Sequence, residues 1–303
     1  PKEPGPLQAA GSATKEGCAT PPYPAPREPE GEGEVATFRA DIGSADGRRP
    51  EAVRFTDERE DALRRDFTIN GLFWDIDTEQ VVDHVGGRED LEAGMIRAIG
   101  DPSERFKEDR LRMMRAVRFA TVLDFPIEEK TWQAVVAEAE FIGDVSGERI
   151  RDELEQMLVS THRLAGYHLL SDSGLMQHIL PEIEQMKGVR QPPQYHPEGD
   201  VFVHTGLVLS HLEEPSFELA MGALLHDVGK PGTFEDASDR IRFHGHDELG
   251  ASMSEKICER LRLSRRQTER VVYLVRRHLV FMNILQMRLS RRYRVFEEDG
   301  FVQ

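Results

Sequence analysis

The sequence predicts an α+β fold: a short β-containing front followed by a longer, mainly α-helical remainder. Three observations carry that reading. Runs of β-prone residues come in turn-separated pairs ahead of Gly86-Gly87, as β-hairpins do. Beyond those glycines, apolar residues recur at helical spacing. A Gln191-Pro192-Pro193 break then divides the helical part, and the histidine-bearing helices follow it.

Residues 1–33 are rich in Pro, Gly, Ala and Glu and lack periodicity, which predicts a disordered tail. Residues 35–38 read as a strand, residues 46–50 as a turn, and residues 52–55 as the returning strand. A helix is expected over 57–70, then a second hairpin over 72–76 and 80–83, turning at Asp77-Thr78. Asp101-Pro102-Ser103-Glu104 starts a helix, with an Asp cap, Pro at the first helical position and Glu placed to close the capping box. Phe106, Met113, Val117 and Ala120 mark its buried side. Further helices are expected over 130–139, 147–160 and 163–171, with breaks at Gly174 and Pro181. After the linker come helical runs over 204–211 and 217–226, a Gly/Pro/Asp-rich loop, and helices over 247–261 and 266–278. The expected organisation is a tail (1–33), a β-containing unit (34–97), a helical unit (98–188), a histidine-bearing helical domain (195–290) and a second tail (291–303).

The length has room for two domains or slightly more. No run approaches the ~18 apolar residues of a membrane span, and no signal-peptide pattern opens the chain. Cys18 and Cys258 form no CxxC pair and argue against a disulfide or zinc framework. A cytoplasmic location without membrane partners is expected. The net charge of −16 opposes non-specific RNA binding, which needs phosphate neutralisation. Arginines nevertheless crowd the stretch from Arg260 to Arg294. Bidentate phosphate contacts would favour arginine there, and a solvated helix face accounts for it equally well.

Two stretches stand out chemically: Arg64-Arg65-Asp66-Phe67-Thr68-Ile69-Asn70, and Glu108-Asp109-Arg110-Leu111-Arg112-Met113-Met114-Arg115. The second reads as opening a helix, with Asp109 and Arg112 three residues apart on one face. A carboxylate accepts from the exocyclic amine of adenine or cytosine, and a guanidinium donates to the adjacent ring nitrogen. Guanine and uracil present the reverse pattern. Alone, the pair reads as a surface ion pair worth roughly 0.2–0.5 kcal/mol. Arg115 and Arg118 behind it, and the upstream motif, turn the reading toward a ligand site.

Both stretches resemble the nucleotide-binding motifs of the class II tRNA nucleotidyltransferase and poly(A) polymerase family. The resemblance implies a partial nucleotidyltransferase head with a short β-sheet, then a helical neck and body. It implies that Arg65 reaches a triphosphate, that Asp66 or Asn70 binds ribose hydroxyls, that Asp109 and Arg112 form the nucleobase template, and that Arg115 and Arg118 belong to the same nucleotide site. Asp83, Gly86 and Gly87 resemble the family's hinge between head and neck, and residues 147–154 and 173–175 its body. The implied reaction adds C and A, or A alone, from CTP and ATP to the 3′ end of tRNA or another RNA, with Mg2+. The family holds that metal on an Asp-x-Asp pair ahead of the segment matching residues 34–39. Residues 1–33 contain no aspartate, so no catalytic residue is assigned and impaired activity is expected. Asp75-x-Asp77 has the spacing but follows the first motif, and reads as a hairpin turn.

His204, His226-Asp227, His246 and His278 form a second constellation. Imidazoles with a carboxylate suit a divalent transition metal, or a mixed site with magnesium or manganese. The pattern resembles the HD phosphohydrolase superfamily, and Phe243-His244-Gly245-His246 resembles the form appended to bacterial tRNA nucleotidyltransferases. It implies an α-helical HD domain holding Ni2+, Mn2+ or Mg2+, with a residual structural domain as the alternative. Glu297, Glu298 and Asp299 are not assigned as the later acidic ligand that HD proteins usually carry. The other histidines read as ordinary. Two rival functions follow: an HD phosphohydrolase of 2′,3′-cyclic or nucleotide phosphates, and a non-catalytic RNA- or nucleotide-binding remnant.

Overall fold

A computed structural model describes residues 38–44, 50–192, 197, 199–237, 241–282 and 284–296. The expected first tail, the strand residues 35–37, the turn residues 46–49 and the acids 297–299 lie outside the described residues. Strand β1 (Arg39–Ser44) pairs antiparallel with β2 (Pro50–Phe55), Arg39 facing Phe55. The first described strand thus lies just beyond the expected one.

Asp57 caps helix α1 (Glu58–Arg64) by accepting from the Glu60 amide at 2.9 Å. The helix expected to reach Asn70 ends at Arg64, because Arg65 turns extended. The next residues have other partners. Thr68 N–H donates to the Arg97 carbonyl, Ile99 N–H donates to the Asp66 carbonyl, and the Thr68 hydroxyl donates to Asp90 at 2.7 Å. Side-chain and long-range bonds therefore compete with the helix ladder and win. A 3-10 turn over Thr68–Asn70 closes the segment. Strands β3 (Leu72–Asp75) and β4 (Gln80–Asp83) form the second hairpin, and Asp75 accepts from the Asp77 and Thr78 amides in its turn.

Asp83 gathers four backbone N–H groups, those of Val85, Gly86, Gly87 and Arg88. Gly86 follows in the left-handed region (φ +78°), and helix α2 (Gly87–Ala93) begins at once. At Gly87 the need for glycine is steric. A Cβ there would lie 2.2 Å from the Thr68 carbonyl oxygen. The two glycines thus let α2 pack directly on the turn that ends the first motif.

Helix α3 (Pro102–Glu108) starts as expected, with Asp101 accepting from the Glu104 amide. The single helix expected beyond it is broken at Asp109, which is extended (φ −150°, ψ 107°). Helix α4 (Leu111–Leu123) follows and buries Met113, Met114 and Val117 completely. Each such side chain contributes about 1.5–3 kcal/mol of transfer free energy. Helices α5 (Glu129–Glu138), α6 (Gly147–Val159), α7 (Arg163–Asp172), α8 (Leu175–Ile179) and α9 (Pro181–Glu184) complete the middle, α4 packing on α6 and α7.

Helices α10 (Val201–Ser210) and α11 (Phe217–Leu225) carry side-chain caps from Asp200 and Ser216. A small hairpin of β5 (Glu235–Asp236) and β6 (Ile241–Arg242) leads into α12 (His246–Arg260) and α13 (Arg265–Met282). A further helix, α14 (Leu289–Phe296), falls where the second tail was expected to begin. The buried core is continuous from Phe67 to Val275. Among the described residues no helix is long and apolar enough to cross a membrane.

Replacing Gly87 with Ala should lower the unfolding free energy by about 1–3 kcal/mol through overpacking against Thr68. Gly143→Ala meets nothing within 4 Å and should stay within about 0.5 kcal/mol of the parent. Coincident denaturation midpoints for the two variants would contradict the packing.

Candidate functional site

The end of α1, the 3-10 turn and the start of α4 enclose a cleft of about 490 Å³. It is lined by Arg64, Arg65, Asp66, Asn70, Asp109, Arg112, Arg115 and Phe119. The two polar stretches of the sequence therefore meet in one place. Among the lining groups four guanidiniums face two carboxylates, a balance that favours a polyanion.

Asp66 holds the cleft together. Its Oδ2 accepts from Arg115 Nε at 2.6 Å, and its Oδ1 accepts from the Phe67 amide and from Asn70 Nδ2, both at 2.9 Å. Burial pushes the carboxyl up, but the Arg115 charge and these hydrogen bonds outweigh it and hold it below the usual carboxylate range. With both oxygens engaged and 8% exposure, Asp66 orients its neighbours.

The arginines are held as well. Arg64 and Arg65 fork onto opposite oxygens of buried Asp61. Arg65 also donates to the Asn70 carbonyl at 2.6 Å and lies 4.6 Å from the Phe73 ring centre. Arg112 donates to Glu108 at 2.6 Å and to the Arg105 and Arg64 carbonyls at 3.1 Å. Such fixed forks lose little entropy when a ligand arrives.

Two expectations need correction. Asp109 and Arg112 do not share a helix face: Asp109 sits in the extended break between α3 and α4, and Arg112 lies in the first turn of α4. Nor is their i,i+3 ion pair formed. Asp109 instead takes a bidentate fork from Arg149, at 2.7 and 3.2 Å. The second correction is Arg118, which does not line the cleft. It is buried, donates to Glu153 at 2.8 Å and lies 3.6 Å from the Phe119 ring centre. Each three-residue step along a helix falls about 60° short of a full turn, so Arg112, Arg115 and Arg118 rotate progressively out of the cleft.

Asp83, Gly86 and Gly87 lie outside the lining and support it through Thr68. Asp75 is half-buried, and its Oδ1 serves the hairpin turn. Nor do the arginines of the 260–294 stretch line the cleft: Arg260 pairs with Glu182, Arg265 with Glu269 and Arg276 with Glu248.

The histidine constellation converges in space. His226 and His204 approach Asp227 Oδ2 through Nε2, at 3.0 and 3.8 Å. His246 and His278 approach Oδ1, at 3.5 and 3.7 Å. Two candidate ligand groups therefore share Asp227: one with His204 and His226, the other with His246 and His278. Nδ1 of His226, His246 and His278 meets a backbone carbonyl (Ala223, Phe243 and Val275) at 2.6–2.7 Å. A carbonyl only accepts, so Nδ1 carries a proton in each ring and Nε2 is the atom turned inward. Burial pushes His278 down to about 4, so it is neutral near pH 7. The Nε2 atoms of His246 and His278 lie 3.2 Å apart, an arrangement that fits a cation held by both. Burial raises Asp227, but His226 and Lys230 outweigh it and hold the carboxyl well below its usual range. Lys230 lies 2.7 Å from Asp227 and donates to Gln191 at 2.5 Å.

Adding Ni2+ or Mn2+ to chelator-treated protein should raise its thermal midpoint, the gain reaching about 2.7 kcal/mol at a hundredfold excess over Kd. The shift should vanish in the His226→Ala, Asp227→Ala double variant. An equal shift in that variant would place metal binding elsewhere.

Comparisons with known proteins find three matching stretches along the chain. Residues 26–97 match the poly A polymerase head domain, residues 124–187 a probable RNA and SrmB-binding site of polymerase A, and residues 199–298 the HD domain. A CCA-adding enzyme of Lactobacillus helveticus is 42% identical over 166 residues, covering 54% of this chain and 40% of its own length. An A-adding tRNA nucleotidyltransferase of Deinococcus radiodurans is 37% identical over 232 residues, 73% of this chain and 52% of its own. A multifunctional CCA protein of Acinetobacter baumannii is 31% identical over 286 residues, 91% of this chain and 68% of its own. The chain thus spans between two-fifths and about two-thirds of these relatives' length. The Bacillus stearothermophilus CCA-adding enzyme, solved in complex with CTP, has the same fold with a TM-score of 0.52 and 24% identity, over 86% of this chain and 64% of that one. On this evidence the chain belongs to the tRNA nucleotidyltransferase/poly(A) polymerase family of CCA-adding enzymes, in the form that carries an HD domain.

Proposed function

We propose that the cleft selects CTP and ATP for addition to the 3′ end of a tRNA. The observation that carries this is that Asp109 and Arg112 line one cleft together with three further arginines, Arg64, Arg65 and Arg115. Asp109 accepts from the exocyclic amine of the base, and Arg112 donates to the neighbouring ring nitrogen. Arg64, Arg65 and Arg115 face the triphosphate, and Asn70 takes the ribose. Asp66 is left to orient Asn70 and Arg115, its oxygens being in use.

Transfer itself needs Mg2+ on paired carboxylates, to align the RNA hydroxyl and neutralise phosphate charge. Asp75 and Asp77 have the spacing, but Asp75 is committed to its turn, so we do not assign the metal to them. We propose that this 303-residue stretch selects nucleotides and transfers them poorly by itself.

The converging imidazoles favour a second activity, metal-dependent hydrolysis of 2′,3′-cyclic or nucleotide phosphates in the HD domain. His204, His226, Asp227, His246 and His278 would hold the metal, which supplies a hydroxide nucleophile when bound.

The direct test offers the chain all four labelled nucleotides with Mg2+ and a tRNA lacking its 3′ CCA. CTP and ATP should bind without extension of the tRNA. Extension would overturn the assignment of impaired transfer. Absence of nucleotide binding would overturn the selector and leave the HD domain as the seat of activity.

A further inference from the structure

The histidine centre carries a positive charge of its own. Lys230 is 6% exposed, its Nζ lies 2.7 Å from Asp227 Oδ2, and it donates to Gln191 Oε1 at 2.5 Å. We propose that Gln191 is a positioning residue of this centre. It holds the Lys230 ammonium on one oxygen of Asp227, so that a single divalent ion is taken on the other, by Asp227, His246 and His278. The proposal rests on the reading of the histidine cluster as a metal centre.

Three observations place Gln191 in that role. First, it comes from the segment between α9 and α10, outside the helices that carry the histidines, and yet it is only 3% exposed. Its backbone is tied to the start of α10. The Gln191 N–H donates to the Gly199 carbonyl, and the Val201 N–H donates to the Val189 carbonyl. Helix α10 carries His204, so the glutamine keeps a fixed place beside the cluster. Second, a lysine ammonium only donates, so the amide atom that meets it is the oxygen. The amide nitrogen is left buried, with no hydrogen-bond partner among the described residues. An unpaired buried donor opposes folding, so packing alone does not account for a glutamine here. Third, Lys230 is fixed from two more directions. Its Nζ lies 5.2 Å from the Phe243 ring centre. The turn that carries it sits against the start of α12, where a Cβ on Gly229 would fall 2.2 Å from the His246 carbonyl oxygen.

The consequence for a metal is electrostatic. The two candidate ligand groups share Asp227. His204 and His226 approach Oδ2, the oxygen that Lys230 also approaches. His246 and His278 approach Oδ1. A divalent ion on Oδ2 would share that oxygen with the ammonium, and in a buried site the repulsion between them is poorly screened. The Lys230 contact therefore leaves Oδ1 to the ion. The lysine takes the part of a second cation, and Gln191 keeps it there.

The test counts the Mn2+ bound per chain. Free Mn2+ is followed by its electron paramagnetic resonance signal as it is added to the chelator-treated chain, for the parent and for Lys230→Met, Gln191→Met and Gln191→Glu. The parent should bind one ion. Lys230→Met keeps the stem and removes the charge, and should bind a second ion through Asp227, His204 and His226. Gln191→Met removes the acceptor and should also bind a second, more weakly, because the ammonium is loosened but still present. Gln191→Glu keeps an acceptor oxygen and should stay at one. The expected change is a gain of binding, which a variant that fails to fold does not mimic. Two ions in the parent, a second ion in Gln191→Glu, or a count that stays at one in either methionine variant would overturn the proposal and leave the metal centre standing. A parent chain that binds no Mn2+ would overturn the centre as well.

Discussion

The ion pair between Asp66 and Arg115 is the contact on which the cleft between α1 and α4 depends. It joins residues 49 apart, one on an irregular turn and the other on a fully packed helix. The turn has no ladder of its own to hold it, so its position is borrowed from α4 through Arg115 and from α2 through Thr68 and Asp90. Removing Arg115 would strip the buried Asp66 carboxylate of its charge partner, at a cost of about 1–3 kcal/mol. Two further groups of the lining depend on that pair. Asn70 is oriented by the same carboxylate, and Arg65 is tied to the Asn70 carbonyl.

The charge pattern explains how so many arginines can share one cleft. Three are paired with an acid set back from the lining, Arg64 and Arg65 with Asp61 and Arg112 with Glu108, while Arg115 pairs with Asp66 in the lining itself. The acids keep the guanidiniums from repelling one another and fix their planes. Preorganised donors of this kind need little rearrangement when phosphate arrives. The HD centre uses a related device with opposite polarity. Backbone carbonyls hold the outer nitrogens of His226, His246 and His278, so that the inner nitrogens converge on Asp227 and on the space for a cation.

Much of this was legible in the sequence because it rests on local chemistry. Caps at Asp57, Asp101, Asp200 and Ser216 begin helices in the places their residue types favour. The two polar stretches and the histidines announced both sites by residue type. What could not be read depended on distant partners. The break at Asp109 comes where helical periodicity continues through Met113 and Val117, and it shows only in the backbone angles. Arg149 is one arginine among many until folding brings α6 beside α4. Arg118 carried the right letter at the wrong angle around its helix. Similarly, the helix expected through Asn70 fails because Thr68 and Asp66 find partners near residues 90 and 99, which no local pattern reveals.

The central claim is that the cleft between α1 and α4 reads the edge of a nucleobase. A structure of the chain with CTP bound tests it most directly. The account predicts the cytosine amine about 3 Å from an Asp109 oxygen, the adjacent ring nitrogen facing Arg112, and the triphosphate among Arg64, Arg65 and Arg115. A base lodged outside the cleft, or one in the cleft whose Watson–Crick edge faces away from Asp109 and Arg112, would contradict it.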